Sequence, residues 1–176
     1  MILGMTTSTF TLLHVLISLV GIAAGLVVMY GLLNAKRLDR WTAVFLATTA
    51  LTSLTGFAFP NEHITPGIVI GILSLVVLAV ATVARYTLRM SGVWRGIYVI
   101  TAAVALYFNV FVLVVQSFEK VPALKAIAPT QKEPPFAVTQ LVVLTLFILM
   151  TIVAVRRFRP DTMAQESLTA TRKKAA

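Results

Sequence analysis

Five stretches of about twenty residues contain no Asp, Glu, Lys or Arg at all: 10–33, 41–59, 66–84, 96–118 and 136–155. A helix rises about 1.5 Å per residue, so each stretch is close to the length needed to cross the ~30 Å hydrocarbon core of a bilayer. In lipid, the backbone must satisfy its own N–H and C=O groups, and the helix does so within a single segment. Composition points the same way. Of 176 residues, 59% are hydrophobic and 12% charged. A soluble domain of this size has too little interior to bury that apolar share and too much surface to cover with so few charges. The expected fold is therefore all-α: an integral membrane bundle of five transmembrane helices forming one domain over 1–160. A basic, disordered tail over 161–176 should follow.

Local signals set the boundaries. Asn34–Arg40 reads as a charged turn, and Pro60 stops the second helix. Thr65-Pro66 has the form of an N-cap and a first-turn proline. Pro134-Pro135 precedes the fifth helix. Residues 1–9 hold no Lys or Arg, so the first apolar run lacks the basic leader of a cleaved signal and reads as a retained helix.

Charge sets the orientation. With five spans, twelve of the fifteen basic residues fall on one side, together with Asp39, Asp161 and Glu166. The other side has Lys120, Lys125 and Lys132 against Glu62, Glu119 and Glu133. The net charge of +9 thus belongs wholly to one face, and the positive-inside rule makes that face cytoplasmic. The N-terminus is expected outside and the C-terminus inside. Tyr30, Trp41, Tyr86, Trp94 and Tyr98 fall near the inner helix ends, where an interfacial aromatic belt belongs. The basic excess is a topology signal, so no nucleic-acid partner is expected. The bilayer is the expected partner, with other membrane proteins or a homodimer in addition.

Helices in lipid associate through small and polar residues. Gly21 and Gly25 form a GxxxG on the stripe that also carries His14 and Ser18. Gly67 and Gly71 mark a packing stripe on the third helix. Thr48, Thr52, Thr55 and Gly56 share a face of the second. Asn109 and Gln116, seven residues apart, superpose on the fourth, and Gln140 lies one turn into the fifth. His14, Thr55, Gln116 and Gln140 all lie about one turn from the outer end of their helices. They are expected to form a polar layer there, with Asn109 deeper and Glu119 above. The loop 119–135 contains a short helix beginning at Pro122, expected to lie over that layer as a lid. An outward-facing pocket lined by His14, Thr55, Asn109, Gln116, Gln140 and Glu119 is the candidate site.

Other chemistries find less support. There are no cysteines, which excludes disulfides and thiolate metal sites. His14 and His63 are the only histidines, and a haem or metal alternative rests on that pair. No span carries a charge in its middle, against an ion-coupled carrier and against a Schiff-base lysine. His14 has Ser18 one turn away but no intramembrane acid to orient it, so no catalytic residues are assigned. A facilitator for a small neutral solute along Asn109 and Gln116 is a further alternative. No cofactor is expected.

The segments LTSLTGFAFP (51–60), YFNVFVLVVQSFEKVPALKAIAPTQKEPPF (107–136) and VRRFRP (155–160) resemble a group of small, uncharacterised multi-pass proteins of the bacterial inner membrane. The resemblance implies that location and brings no activity or functional residue with it. The leading expectation is a non-enzymatic accessory or interaction protein, or a binder of a small apolar ligand.

Overall fold

The computed structural model of the chain describes residue 2 and residues 4–60 and 65–159. Among these the architecture is all-helical. The helices are α1 (Thr7–Leu33), α2 (Asp39–Gly56), α3 (Pro66–Thr82), α4 (Val93–Lys120), α5 (Pro122–Ile127) and α6 (Pro134–Arg157), with α3 continuing into a π-helical turn over Val83–Thr87. Four of these segments are long and apolar enough to cross a membrane: Thr7–Leu33, Pro66–Thr87, Val93–Lys120 and Pro134–Arg157. Helix α2 is not among them. It has 18 residues, opens on Asp39 and Arg40, and carries five threonines. The expected span over 41–59 is instead a shorter, more polar helix that ends before Phe57. Thr48 and Thr55 return protons to their own helix, to Val44 O at 2.7 Å and to Leu51 O at 2.7 Å, which removes much of the cost of burying them, while the Thr52 hydroxyl is buried without a partner.

Helices α1, α3 and α6 run toward one end of the bundle, and α2 and α4 run away from it. Helix α4 is central and touches α1, α3 and α6, while α2 packs against α1 and α3. The main core lies between α1, α2, α3 and α4 and is built from Ala24, Val28, Phe45, Leu78, Ala81, Val99, Ala102 and Leu106. Gly25 sits where three helices meet. A Cβ there would fall 2.5 Å from Leu106 Cδ1 and 2.9 Å from the Phe45 ring. The GxxxG is thus occupied inside the bundle. Gly71 likewise admits Phe57, whose ring would lie 2.8 Å from an added Cβ. Gly67 differs from expectation: it is exposed and has only Thr65 Oγ1 near it, at 3.7 Å. It lies in the first turn of α3, before the helices close on one another.

Several boundaries move outward for identifiable reasons. Helix α1 begins at Thr7 because Thr6 Oγ1 accepts from Thr9 N at 3.2 Å, a cap sited before the apolar run. Thr65 caps α3 as expected, accepting from Ile68 N. Helix α4 starts at Val93, three residues ahead of the uncharged stretch, with Arg95 near its start. The guanidinium of Arg95 donates to Phe158 O, satisfying a carbonyl just past the end of α6. The expected disordered tail and His63 lie outside the described residues.

At one end of the bundle lie the α1–α2 and α3–α4 connections and the exit from α6. This end carries Lys36, Arg37, Arg40, Arg85, Arg89, Arg95, Arg156, Arg157 and Arg159, with Asp39 as the one acid among the described residues. It is called the basic end below. At the opposite end the 119–135 loop folds back on α4. Gln131 Nε2 donates to Val115 O at 3.1 Å, Phe118 meets Phe136 edge-on at 5.4 Å, and Ala128 is buried. The short helix α5 is present from Pro122, but Val121 and Ile127 are exposed, so only part of its expected apolar side is covered.

Candidate functional site

The polar residues singled out in the sequence form separate joints between pairs of helices. His14 Nδ1 lies 2.7 Å from Thr55 Oγ1 and links α1 to α2. The Thr55 hydroxyl also lies 2.7 Å from Leu51 O, so it sits between its own helix and the imidazole. Its ring stands edge-on to Phe59 at 5.3 Å. Asn109 Nδ2 donates to the buried Thr49 Oγ1 at 3.0 Å, linking α4 to α2. Gln140 Nε2 donates to Phe111 O at 3.3 Å, linking α6 to α4, while its Oε1 is buried without a partner. No hydrogen bond connects one joint to the next among the described residues.

Two members of the expected layer stand apart. Gln116 is exposed, and Glu119 is exposed and paired with Lys120 at 3.1 Å. The superposition of Asn109 and Gln116 on one helix is correct, but it does not require a neighbour to cover both. Among the described residues no group of three His, Asp or Glu stands close enough to hold a metal ion. The expected pair His14 and His63 has its second member outside the described residues.

The basic end holds a cluster of another kind. Arg85 continues the stripe Ser74, Leu78, Ala81, at steps of four, three and four, and all four residues are buried. Its side chain is only 3% exposed. The π-helical turn carries it into the bundle. Beyond it, two successive residues, Arg89 and Met90, take left-handed backbone angles (φ +49° and +58°), and Met90 N donates to Ala84 O at 2.8 Å. This reversal folds Met90 back beneath the guanidinium, with Sδ 3.9 Å from Nη1. Non-glycine residues in that region store strain, which together with π turns concentrates at functional positions.

The guanidinium lies over the Tyr98 ring at 5.0 Å and the Tyr86 ring at 5.7 Å. Nη2 donates to Asp39 Oδ1 at the start of α2. Asp39 is itself 69% exposed and also faces Arg37 Nε at 3.9 Å. The Tyr98 hydroxyl lies 3.5 Å from Thr42 Oγ1, whose proton goes to Leu38 O at 3.0 Å. A narrow cleft runs along this cluster, lined by Lys36, Arg37, Thr42, Arg85, Tyr98 and the apolar side chains around them.

Arg85 lies one residue beyond the uncharged stretch 66–84, so a count of uncharged residues leaves it outside the third helix. The heptad-like continuation of the inward stripe was the signal for its burial. The chain matches no protein-family model, no curated protein and no solved structure in the comparisons made.

Proposed function

We propose that the chain is a five-span inner-membrane protein of a bacterium, N-terminus outside and basic end cytoplasmic, that works by binding through its basic end and carries out no chemistry itself. The observation that carries this reading is the burial of Arg85. An ionised side chain taken from water costs several kcal/mol before pairing. Apolar residues of equal volume often serve stability as well or better, so an ionisable group held within a membrane bundle marks a functional site by default. His14, Asn109 and Gln140 are engaged in helix-to-helix bonds, which suits a scaffold. The inner half between α1 and α4 is filled by packed apolar side chains, which gives a solute facilitator no support. The haem or metal alternative keeps only His14 within the described residues.

Site-specific photocrosslinking in intact membranes tests the reading. Crosslinkers at Tyr30 and Arg40, beside the basic end, should give discrete adducts. One at Lys125, at the opposite end, should give none. Equal or featureless labelling from both ends contradicts the assignment.

A further inference from the structure

The Arg85 cleft has the charge and donors of an anion site with an internal anion already in it. Three cations, Lys36, Arg37 and Arg85, surround it, against one carboxylate, Asp39. Arg85 is fixed by the two tyrosine rings and by the folded-back Met90, so its planar fork is held in one orientation. Asp39 is the only carboxylate acceptor it meets among the described residues. That acceptor is mostly exposed and sits at the end of a short turn, free to swing into water. The buried Tyr98 hydroxyl lines the same cleft, with Thr42 Oγ1 3.5 Å away. The cleft is narrow, so a ligand that takes the Arg85 fork competes with Asp39 for it.

We infer that this cleft binds an anionic phosphate group, with Arg85 as the fixed fork, Lys36 and Arg37 as mobile cations, and Asp39 as a built-in competitor. Arginine forks match phosphate oxygens two at a time, and lysine supplies a point charge. Basic pockets between helices at the cytoplasmic surface suit lipid head groups. A lipid source rests on the membrane reading above. A free phosphate does not, so the two are tested apart.

The full chain is purified in mild detergent. In one arm, native mass spectrometry reads retention of phosphatidylglycerol against phosphatidylcholine. In the other, thermal unfolding is followed with inorganic phosphate against chloride at equal ionic strength. The variant K36Q/R37Q removes two exposed cations from the cleft, and R156Q/R157Q removes two exposed cations from the end of α6 as a charge-matched control. The cleft variant should bind the anion about tenfold more weakly than the control, the loss of one charge-assisted hydrogen bond. D39N should bind more tightly than wild type, and R85M should lose the preference. Preference in the lipid arm assigns a head group; preference in the phosphate arm alone assigns a free anion and leaves the membrane reading to its own test. The inference is overturned by equal losses in the two double variants, by unchanged binding in D39N, or by no anion preference in wild type. The two surface variants keep the test decisive if R85M does not fold.

Discussion

The two partners of the Arg85–Asp39 pair should respond unequally to mutation. Exposure decides this: the arginine side chain is 3% exposed and the aspartate 69%. In Asp39→Ala the guanidinium stays buried without its carboxylate. Stranding a charge in this way costs about 3–5 kcal/mol. Contact with the Tyr98 and Tyr86 faces offsets part of it, by about 0.5–2 kcal/mol. A net destabilisation of about 2–3 kcal/mol follows. In Arg85→Met the unbranched apolar chain follows the path of the arginine stem, and Asp39 returns to water. The pair seen from the exposed side is worth about 0–1 kcal/mol. R85M should therefore lie within about 1 kcal/mol of wild type, on either side. The double variant D39A/R85M should recover most of the loss seen in D39A. Reversible unfolding in mixed micelles, followed by circular dichroism, measures all four proteins. If R85M is as unstable as D39A, or if the double variant shows the sum of the two losses, the buried-charge argument is wrong.

Other outcomes follow from the same geometry. Gly25→Ala should destabilise by about 1–3 kcal/mol through overpacking against Leu106 and Phe45, whereas Gly67→Ala should be neutral or stabilising by up to about 1 kcal/mol because it meets open space; the same unfolding assay separates them. Asn109→Ala should cost about 0.6 kcal/mol and no more than about 2, the range for a hydrogen bond between membrane helices. Glu133 gives a pH signature in the 119–135 loop. Partial desolvation raises its carboxyl, but this is outweighed by the Thr130 hydroxyl and by the Thr130 and Lys132 N–H groups, which hold it below the usual glutamate range. A lowered folded-state value means that the contribution to loop order is present above the usual glutamate range and is lost as pH falls through the folded value. Protection of the 130–133 amides from hydrogen exchange should therefore fall on acidification in wild type, and in Glu133→Gln it should be low throughout with no such step.

The helical class and the positions of the long apolar segments were legible because uncharged length is a direct physical requirement of a bilayer. The caps were legible where a hydroxyl preceded proline, as at Thr65, and missed at Thr6, where the cap lay outside the apolar run. Helix α2 shows the limit of counting charges. It carries five threonines and opens on Asp39 and Arg40, so the uncharged stretch 41–59 did not make a fifth equal among the apolar helices. The joint His14–Thr55 follows from stripes of polar residues, since each stripe names a face, whereas Thr49, the partner of Asn109, lies off the stripe of Thr48, Thr52 and Thr55. Which helix covers that face is a property of packing, and Gln116 shows that a correct stripe can point at nothing. Arg85 was the main miss. A charge was read as the end of a helix, although the period of four, three and four from Ser74 ran straight through it. A π turn leaves no mark in sequence, and neither do the left-handed angles at Arg89 and Met90, which are uncommon for such residues.

The absence of native cysteine makes the topology directly measurable. The account as a whole depends on α2 crossing the membrane despite its length and its threonines, since this places the Arg85 cleft at the cytoplasmic face. Single cysteines at Ala58 and Lys36 flank α2, and a membrane-impermeant maleimide reports which of them faces the outside of intact cells. Labelling of position 58 in intact cells, with position 36 labelled only after permeabilisation, is the predicted result. Labelling of both from the same side, or the reverse order, contradicts the five-span arrangement and the site built on it.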